Sequence, residues 1–212
     1  MIQRTSLKEI NLTLDKNKNW KILDIGCGYT ANKFANFVAD EKDFSDFYKN
    51  KKKFFKIENK ILPFKDKEFD FVIASHVIEH VEDFAFFISE LERISNQGYI
   101  ELPTRLGDNL VFENTTDHIW WFIFDDDKKK LLASKKTQTL EPFLSVATGK
   151  NLSDSFRESF VIELAWKDKI EFSIDNQIDN SERKKFSFLT IVKKYFSKKF
   201  RKFIFEIKLI LS

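Results

Sequence analysis

The residues whose types and spacing could support chemistry are concentrated in one short segment, SHVIEHVED at positions 75–83. His76, Glu79 and His80 have the spacing H-x-x-E-H, in which two histidines can hold a zinc ion beside a glutamate base. Such a site needs both histidines on one helix, together with a third protein ligand and an open coordination position. The preceding letters, EFDFVIAS, are typical of a strand. We therefore expect a strand to end at His76, predict no metal site, and assign Glu79 and His80 to hydrogen bonds within the turn.

A second candidate site is the glycine pair in LDIGCGYT, where Asp24, Gly26 and Gly28 end a short apolar segment. Glycines at such a position permit a tight turn in which the backbone approaches a ligand closely. Short Gly-x-Gly turns are common, so this pattern alone predicts only a strand–helix connection. Asp40 ends the next apolar segment, FVAD, where an acid can accept hydrogen bonds from ribose hydroxyls. Glu58 follows a third segment, FFKI. In this order the residues favour a nucleoside-binding sheet edge.

The elements that must position these residues alternate along the chain. Segments typical of strands lie at 21–26, 37–40, 54–57, 68–75 and 98–104. The segment at 81–94 has apolar residues at helical spacing, and the connection after the first strand leaves room for only a short helix. Strands that alternate with helices or crossovers predict an α/β fold with a mainly parallel sheet. Residues 158–175 predict two further strands, paired as an antiparallel hairpin.

The ordered set LDIGCG, VAD, ILPFKDKEFDFVIASHVIEHV and GYIELP resembles a class I S-adenosylmethionine-dependent methyltransferase of the type 11 methyltransferase-domain group. The resemblance covers about residues 20–104, and its most specific part is the block LPF…FDFV…S.V.EHV. It implies a Rossmann-like fold and S-adenosylmethionine as the cofactor. One departure is Thr30, which stands where the usual Gly-x-Gly-x-Gly motif has its third glycine.

The resemblance also implies a set of cofactor-binding residues at the ends of successive strands. They are Asp24, Gly26 and Gly28 for the methionine part, Asp40 for the ribose, Glu58 and the Asn59 backbone for the adenine amino group, and Ser75 and His76 beside the sulfonium and the acceptor. No residue of the protein needs to be covalently modified in such a reaction, and no metal is implied.

The segment DHIWW at 117–121 follows the last of these strands. Adjacent residues of a strand point to opposite faces, so we expect at least one of Trp120 and Trp121 to lie at the surface or in a pocket wall. There an aromatic ring could stabilise a sulfonium, whereas packing of a lid on the sheet is the alternative. His118 is the candidate general base, because histidine titrates near neutral pH.

Residues 181–212 form a separate basic segment with a net charge of +8, which leaves −5 for the rest of the chain. Between 188 and 211 apolar residues recur every three or four positions among lysines, which predicts a basic amphipathic helix. It could lie on an anionic membrane surface or dock on the body or a second subunit. Its aromatic stripe exceeds what phosphate binding requires, so nucleic acid ranks last. We predict a methyltransferase domain over 1–178 and a linker with the tail helix over 179–212.

The cellular compartment and the methyl acceptor are inferred from cysteine content, N-terminal polarity and the basic segment. The single cysteine, Cys27, excludes an internal disulfide and fits a reducing compartment. The N-terminal letters are polar throughout, and no stretch reaches the ~18 apolar residues of a membrane span. We expect a cytoplasmic protein, peripheral at the inner face of the membrane if the tail binds lipid. The acceptor would be a small molecule, with a glycan or lipid-linked envelope intermediate favoured by a membrane-bound tail. A non-catalytic binding or assembly module with the same fold is the alternative.

Overall fold

The computed structural model describes residues 1–138, 140–174, 196–197 and 199–200. Its strands are β1 (Ile2–Arg4), β2 (Ile22–Ile25), β3 (Phe37–Asp40), β4 (Lys53–Lys56), β5 (Phe71–Ser75), β6 (Gln97–Pro103), β7 (Trp120–Asp125), β8 (Lys130–Lys135), β9 (Val161–Lys167) and β10 (Phe172–Ile174). Its α-helices are α1 (Leu7–Lys16), α2 (Ser45–Tyr48), α3 (Phe84–Ile94), α4 (Arg105–Leu110), α5 (Asn114–Asp117), α6 (Val146–Ser155) and α7 (Arg157–Phe160), and a 3₁₀ turn covers Ile78–His80. The predicted domain boundary at 178/179 lies outside the described residues, and so does the predicted tail helix apart from four positions.

Seven strands form one sheet in the order β1-β9-β6-β5-β2-β3-β4. The strands from β6 to β4 pair in parallel, β9 pairs antiparallel with β6, and β1 pairs antiparallel with β9 and so has the direction of the parallel strands. The predicted α/β, Rossmann-like fold with a mainly parallel sheet is therefore confirmed. β2 has β3 on one side and β5 on the other, so the carboxyl ends of β2 and β5 meet where the strand order reverses. Ligands bind at this position in open parallel sheets.

The antiparallel hairpin is present, but it lies at a different place from the predicted one. The two strands within 158–175 exist, yet β9 pairs antiparallel with β6 and β1, while β10 pairs in parallel with β8. The hairpin is formed by β7 and β8, with Trp120 opposite Lys135. Five of the first six residues of β9 are buried, and a strand buried on both faces belongs between two neighbours in a sheet rather than in an isolated hairpin.

Two helices cover the opposite faces of the sheet. α3 buries Phe84, Phe87, Ile88, Leu91 and Ile94, the apolar residues that its sequence spacing predicts. α1 covers the other face with two buried residues and begins at a capping box, in which Ser and Glu side chains bond the first amide groups. Among the described helices, none has the length and apolar character that crossing a membrane requires.

The connection from β2 to β3 contains no helix, not even the short one for which the sequence leaves room. Side chains hold the extended backbone instead. Asp24 Oδ2 accepts a hydrogen bond from Asn32 N at 2.6 Å, and Tyr48 Oη donates to Gly28 O at 2.9 Å. Lys52 Nζ donates to Asn32 O at 3.0 Å. The loop is thus fixed by partners from β2 and from α2 and the residues after it.

Both adjacent tryptophans are buried, so the expectation that one lies at the surface or in a pocket wall is wrong. Trp120 packs edge-on against Phe84, with ring centroids 4.7 Å apart. Trp121 points to the other face, where its Nε1 donates to Asp108 Oδ2 at 2.6 Å. β7 belongs to a small second sheet, in the order β10-β8-β7, and protein covers both faces of this strand at Trp120 and Trp121, whereas Ile123 is exposed. The two tryptophans therefore pack against the rest of the protein, which was the alternative to a place in a pocket wall.

Candidate functional site

A cavity of about 600 Å³ lies at the carboxyl ends of β2, β5 and β6. This volume is within the range of small-molecule sites. Several predicted site residues line it together: Asp24, Gly26, Gly28, Ser75, His76 and His118. Residues of α6 and α7 complete the wall, among them Lys150 and Arg157. The structure therefore brings the glycine turn, the end of β5 and the candidate general base to one space.

The glycine turn has a backbone that only glycine adopts readily. Gly26 has φ of 68° and Gly28 has φ of 45°, both in the left-handed region. A Cβ on Gly26 would lie 2.4 Å from Cγ2 of Val77, whereas a Cβ on Gly28 would meet nothing within 4 Å. Gly26 therefore allows close packing of the protein on itself. Gly28 leaves open room in the cavity wall, where a ligand can approach bare backbone.

Asp24 is the buried acid of this wall. Burial is the main influence on its carboxyl group and raises its pKa to about 7, against the lowering effect of the hydrogen bond from Asn32 N. A charge that is costly to bury becomes favourable when a cation is placed beside it. Asp24 is therefore suited to meet a cationic group of a ligand in the cavity.

The residues predicted for the ribose and the adenine are not among those that line the cavity. Asp40 uses both carboxylate oxygens on the backbone: Oδ2 accepts from Gly28 N at 3.0 Å and Oδ1 from Lys42 N at 2.9 Å. Glu58 has a side chain that is 68% exposed and pairs with Lys56 at 3.3 Å, and Asn59 is exposed. The structure thus gives Asp40 a role in holding the glycine turn. Its assignment to the ribose stays a prediction.

His76 is held between two carboxylates. Its Nδ1 bonds Glu79 Oε1 at 3.2 Å and its Nε2 bonds Glu101 Oε1 at 2.9 Å, while its backbone has φ of 55°. Burial lowers the pKa of His76, but the hydrogen bonds to Glu101 and Glu79 outweigh this effect and raise it to about 10. Both ring nitrogens carry a proton near neutral pH, so His76 is a cation and a hydrogen-bond donor. Because both nitrogens are bonded to carboxylates, this arrangement leaves no lone pair on the ring for a proton or a metal ion.

His118 is oriented by a buried aspartate. Its Nδ1 bonds Asp108 Oδ1, and Asp108 Oδ2 also accepts from Trp121 Nε1 and from Lys136 Nζ at 2.8 Å. Burial raises the pKa of Asp108, but the hydrogen bonds from His118 and Lys136 lower it more, so its pKa lies below the usual value. Because Asp108 is ionised, Nδ1 of His118 carries the proton. The Nε2 lone pair is left for a proton or a ligand.

Sequence reasoning missed the partners of both histidines. Asp108 lies in TRLGDNL, which has no pattern that marks an aspartate for a role, and it bonds residues 10 and 13 positions away. Glu101, inside the apolar segment GYIELP, also bonds Arg157 and accepts from Tyr99 Oη at 2.7 Å. An acid within an apolar strand segment was the one available signal, and it applies to Glu101 as it does to Asp24 and Asp40.

Residues 23–100 match a protein-family model described as a methyltransferase domain. The uncharacterized protein MJ0638 of Methanocaldococcus jannaschii is 38% identical over 121 residues, which cover 50% of this chain and 51% of that protein. The chain thus spans about half the length of this curated relative. Among solved structures, the PH0226 protein of Pyrococcus horikoshii OT3 is 17% identical with a TM-score of 0.44, over 76% of this chain and 88% of that one. PKMT2 of Rickettsia typhi, in complex with AdoHcy, is 21% identical with a TM-score of 0.35, over 44% and 22% of the two chains.

The matched residues contain the features that the motifs singled out. They include the glycine turn after β2, Asp40 at the end of β3, and Ser75 with His76 at the end of β5. The predicted family is confirmed by this match. Residues 23–100 therefore match a methyltransferase domain, as the resemblance predicted, and S-adenosylmethionine is the cofactor of this fold.

Proposed function

We propose that this chain transfers a methyl group from S-adenosylmethionine to an acceptor bound in the described cavity. The observation that carries the proposal is that one cavity is lined by the glycine turn, by the buried Asp24 and by His118, which Asp108 orients. When bound, S-adenosylmethionine supplies an electrophilic methyl group on a sulfonium. The protein has to align the acceptor with that group and exclude water.

The glycine-turn side of the cavity fits the methionine part of the cofactor. Gly28 provides open room beside the backbone, and Asp24 provides a buried carboxyl group that an ammonium group would keep ionised. The amides of the turn are already used, because Gly26 N bonds Ala39 O at 2.8 Å and Gly28 N bonds Asp40. Recognition at this side would therefore come from shape and from the charge of Asp24.

His118 supplies the general base in this proposal. Methylation of a hydroxyl, amine or thiol group releases a proton from the attacking atom, and a histidine with a free Nε2 lone pair can take it. Asp108 fixes the tautomer that leaves Nε2 free, and Lys136 balances the charge of that carboxylate. His76, charged and held between Glu79 and Glu101, is a fixed donor at the same wall and does not take the proton.

For the acceptor we propose a glycan or a lipid-linked envelope intermediate. Its support is the basic amphipathic pattern of 188–211, which would bring the domain to an anionic membrane surface. Sedimentation of the protein with anionic liposomes, with and without residues 181–212, tests this point. The full chain is expected to co-sediment and the shortened chain to remain in solution. Equal partitioning of the two would contradict the membrane-bound acceptor.

A non-catalytic binding or assembly module is the second candidate, and three observations favour it. The loop from β2 to β3 lacks a helix, the carboxylate of Asp40 is bonded to Gly28 and Lys42, and Glu58 is exposed. A domain that has lost its adenosine-binding contacts could keep the fold without turnover. In that case S-adenosylmethionine would bind weakly or not at all.

Titration calorimetry with S-adenosylmethionine and S-adenosylhomocysteine separates the two candidates. We expect one binding site per chain and a loss of affinity in Asp24→Ala and Asp40→Ala, with Asp126→Ala as the exposed control. No measurable binding by the wild-type protein would contradict the enzyme proposal. Unchanged affinity in Asp40→Ala would contradict only the ribose assignment.

The role of His118 needs a separate measurement. Transfer of a labelled methyl group to fractionated glycan and lipid extracts gives the turnover, and His118→Ala is expected to lower it by about 10²- to 10⁴-fold. Cofactor affinity in the same variant should stay close to that of the wild type. A variant with full turnover would show that another group, or water, accepts the proton.

A further inference from the structure

We infer that Glu79, His80 and His118 form a binding site for a divalent first-row transition-metal ion, with zinc as the natural occupant. One ligand atom from each of these residues lies within 4.8 Å of the other two. This set differs from the H-x-x-E-H motif of the sequence, in which the two histidines are His76 and His80. Both nitrogens of His76 are instead bonded to Glu79 and Glu101. The fold replaces His76 by His118, which the sequence places 38 positions after His80.

The two segments that carry the three side chains are fixed side by side. Ile119 N donates to Glu79 O at 2.8 Å, and Trp120 Nε1 donates to Val81 O at 3.0 Å. The rings of His80 and His118 are in edge-to-face contact, with centroids 4.5 Å apart. The cluster is therefore held before any ion arrives, and little ordering remains to oppose binding.

Hydrogen bonds to neighbouring residues use Nδ1 of both His80 and His118, which leaves Nε2 of each ring available to a ligand. His80 Nδ1 lies 2.9 Å from Asp117 O, and a carbonyl oxygen can only accept, so this nitrogen donates. His118 Nδ1 donates to the carboxylate of Asp108. Each ring thus keeps a lone pair on Nε2. Histidine ligands of zinc usually have their second nitrogen bonded to a carbonyl or a carboxylate in this way.

The side chain of Glu79 is independent evidence for a bound cation. Its side chain is fully buried, Oε1 bonds His76, and Oε2 has no hydrogen-bond partner among the residues that the structure describes. Leaving a buried carboxylate oxygen unpaired costs free energy. A cation beside Glu79 removes that cost. Two histidines and one glutamate are a ligand set of zinc sites that keep an open position, and exposed His80 gives solvent access to this one.

Metal binding itself does not depend on the proposed function, but one consequence does. With an ion bound, the Nε2 lone pair of His118 is used for coordination and cannot take a proton from an acceptor. The ion can instead lower the pKa of a coordinated hydroxyl group. If the chain is a methyltransferase, metal-loaded and metal-free protein should therefore differ in turnover while they bind the cofactor equally.

The site is tested with Co²⁺, whose visible absorption reports its ligands, and with Zn²⁺ in calorimetry of the metal-stripped full chain. We expect one ion per chain. His80→Ala and Glu79→Gln should each weaken Zn²⁺ binding by at least about 100-fold, because each removes a ligand. Glu82→Gln, which changes an exposed acid two positions after His80, should leave the affinity unchanged. His80 is exposed, so its removal should not impair folding.

Two results would overturn the site: no Co²⁺ or Zn²⁺ binding at millimolar ion, or binding that His80→Ala leaves unchanged. Calorimetry with S-adenosylmethionine on the same preparations keeps this question apart from the proposed function. His80 is not among the cavity-lining residues, so His80→Ala should bind the cofactor as the wild type does. Metal binding without cofactor binding would contradict only the methyltransferase proposal. Cofactor binding without metal binding would contradict only the metal site.

Discussion

Asp24 at the end of β2 and Asp108 in α4 are both buried, yet the pKa values of their carboxyl groups shift in opposite directions. Asp24 accepts one backbone hydrogen bond, from Asn32, and its pKa rises to about 7. Asp108 bonds a histidine, a tryptophan and a lysine, and its pKa falls below the usual value. The comparison shows that the number and charge of the partners decide the ionisation of a buried acid, not its burial alone.

The two aspartates give two parts of the site different chemical character. At the glycine turn, Asp24 can gain or lose a proton near neutral pH, so its charge can respond to a bound cation. Behind His118, Asp108 has a fixed charge that holds one tautomer of the imidazole. A site that combines an adjustable carboxyl group with a fixed one fits cofactor binding at the first and proton transfer or metal binding at the second.

The largest expected effect comes from removing the fixed charge. Asp108→Asn keeps the side-chain volume but leaves Lys136, whose side chain is only 5% exposed, as a buried cation without its counter-ion. We expect the free energy of unfolding to fall by about 3–5 kcal/mol, measured by urea denaturation. The control is Asp126→Asn, which breaks an exposed ion pair with Arg4 and should cost less than about 1 kcal/mol. Similar losses in both variants would mean that the Asp108 partners do not depend on its charge.

The second test concerns the pH dependence that the raised pKa of Asp24 predicts. The native protein binds a proton more tightly here than the unfolded chain, so Asp24 contributes stability below about pH 4 that is lost as the pH rises to about 7. Asp24→Asn removes this titration. The unfolding free energy of the variant relative to the wild type should therefore rise by roughly 4 kcal/mol from pH 4 to 7. A difference that stays constant over this range would contradict the raised pKa.

The smallest effects distinguish the two glycines beside Asp24. Both substitutions by alanine place a side chain at positive φ, which costs about 1–2 kcal/mol. Gly26→Ala also forces its Cβ against Val77, so we expect a total loss of roughly 2–4 kcal/mol in thermal or urea unfolding. Gly28→Ala should cost only the backbone strain but weaken S-adenosylmethionine binding, because its methyl group enters the cavity wall. Equal stability losses would show that the turn relaxes around Gly26.

Much of the sheet could be predicted because its signals are local. The apolar segments ending at Asp24, Asp40 and Ser75 form strands whose bounds differ little from the predicted ones. The helical spacing from Phe84 identified the buried face of α3. The hairpin could not be placed in the same way, because its position depends on which strand β9 and β10 pair with. Which strands they pair with depends on the apolar surface that each strand has to bury, and the sequence of the strand itself does not specify it.

The same distinction between local signals and tertiary contacts applies to the residues of the site. Asp24, Gly26, Gly28, Ser75 and His76 line one cavity, since each lies near the end of a strand and parallel strands end at one edge of the sheet. Their contacts with the cofactor stay predictions. The side chains of Asp40 and Glu58 also lie at strand ends, yet the first holds the glycine turn and the second points to solvent. Position along a strand predicts the edge at which a side chain lies, but its neighbours decide its partner.

The sequence by itself determined the strand segments, the glycine turn and the family of residues 23–100, because these depend on residue type and short spacing. Tertiary structure alone decided the roles of the three histidines. His76 is fixed as a cation by Glu79 and Glu101, and His118 is oriented by Asp108. His80 meets His118 instead of His76, because hydrogen bonds from the start of β7 to the 3₁₀ turn bring the two segments together. Contacts between residues this far apart in the chain follow from strand pairing and burial, which no short motif records.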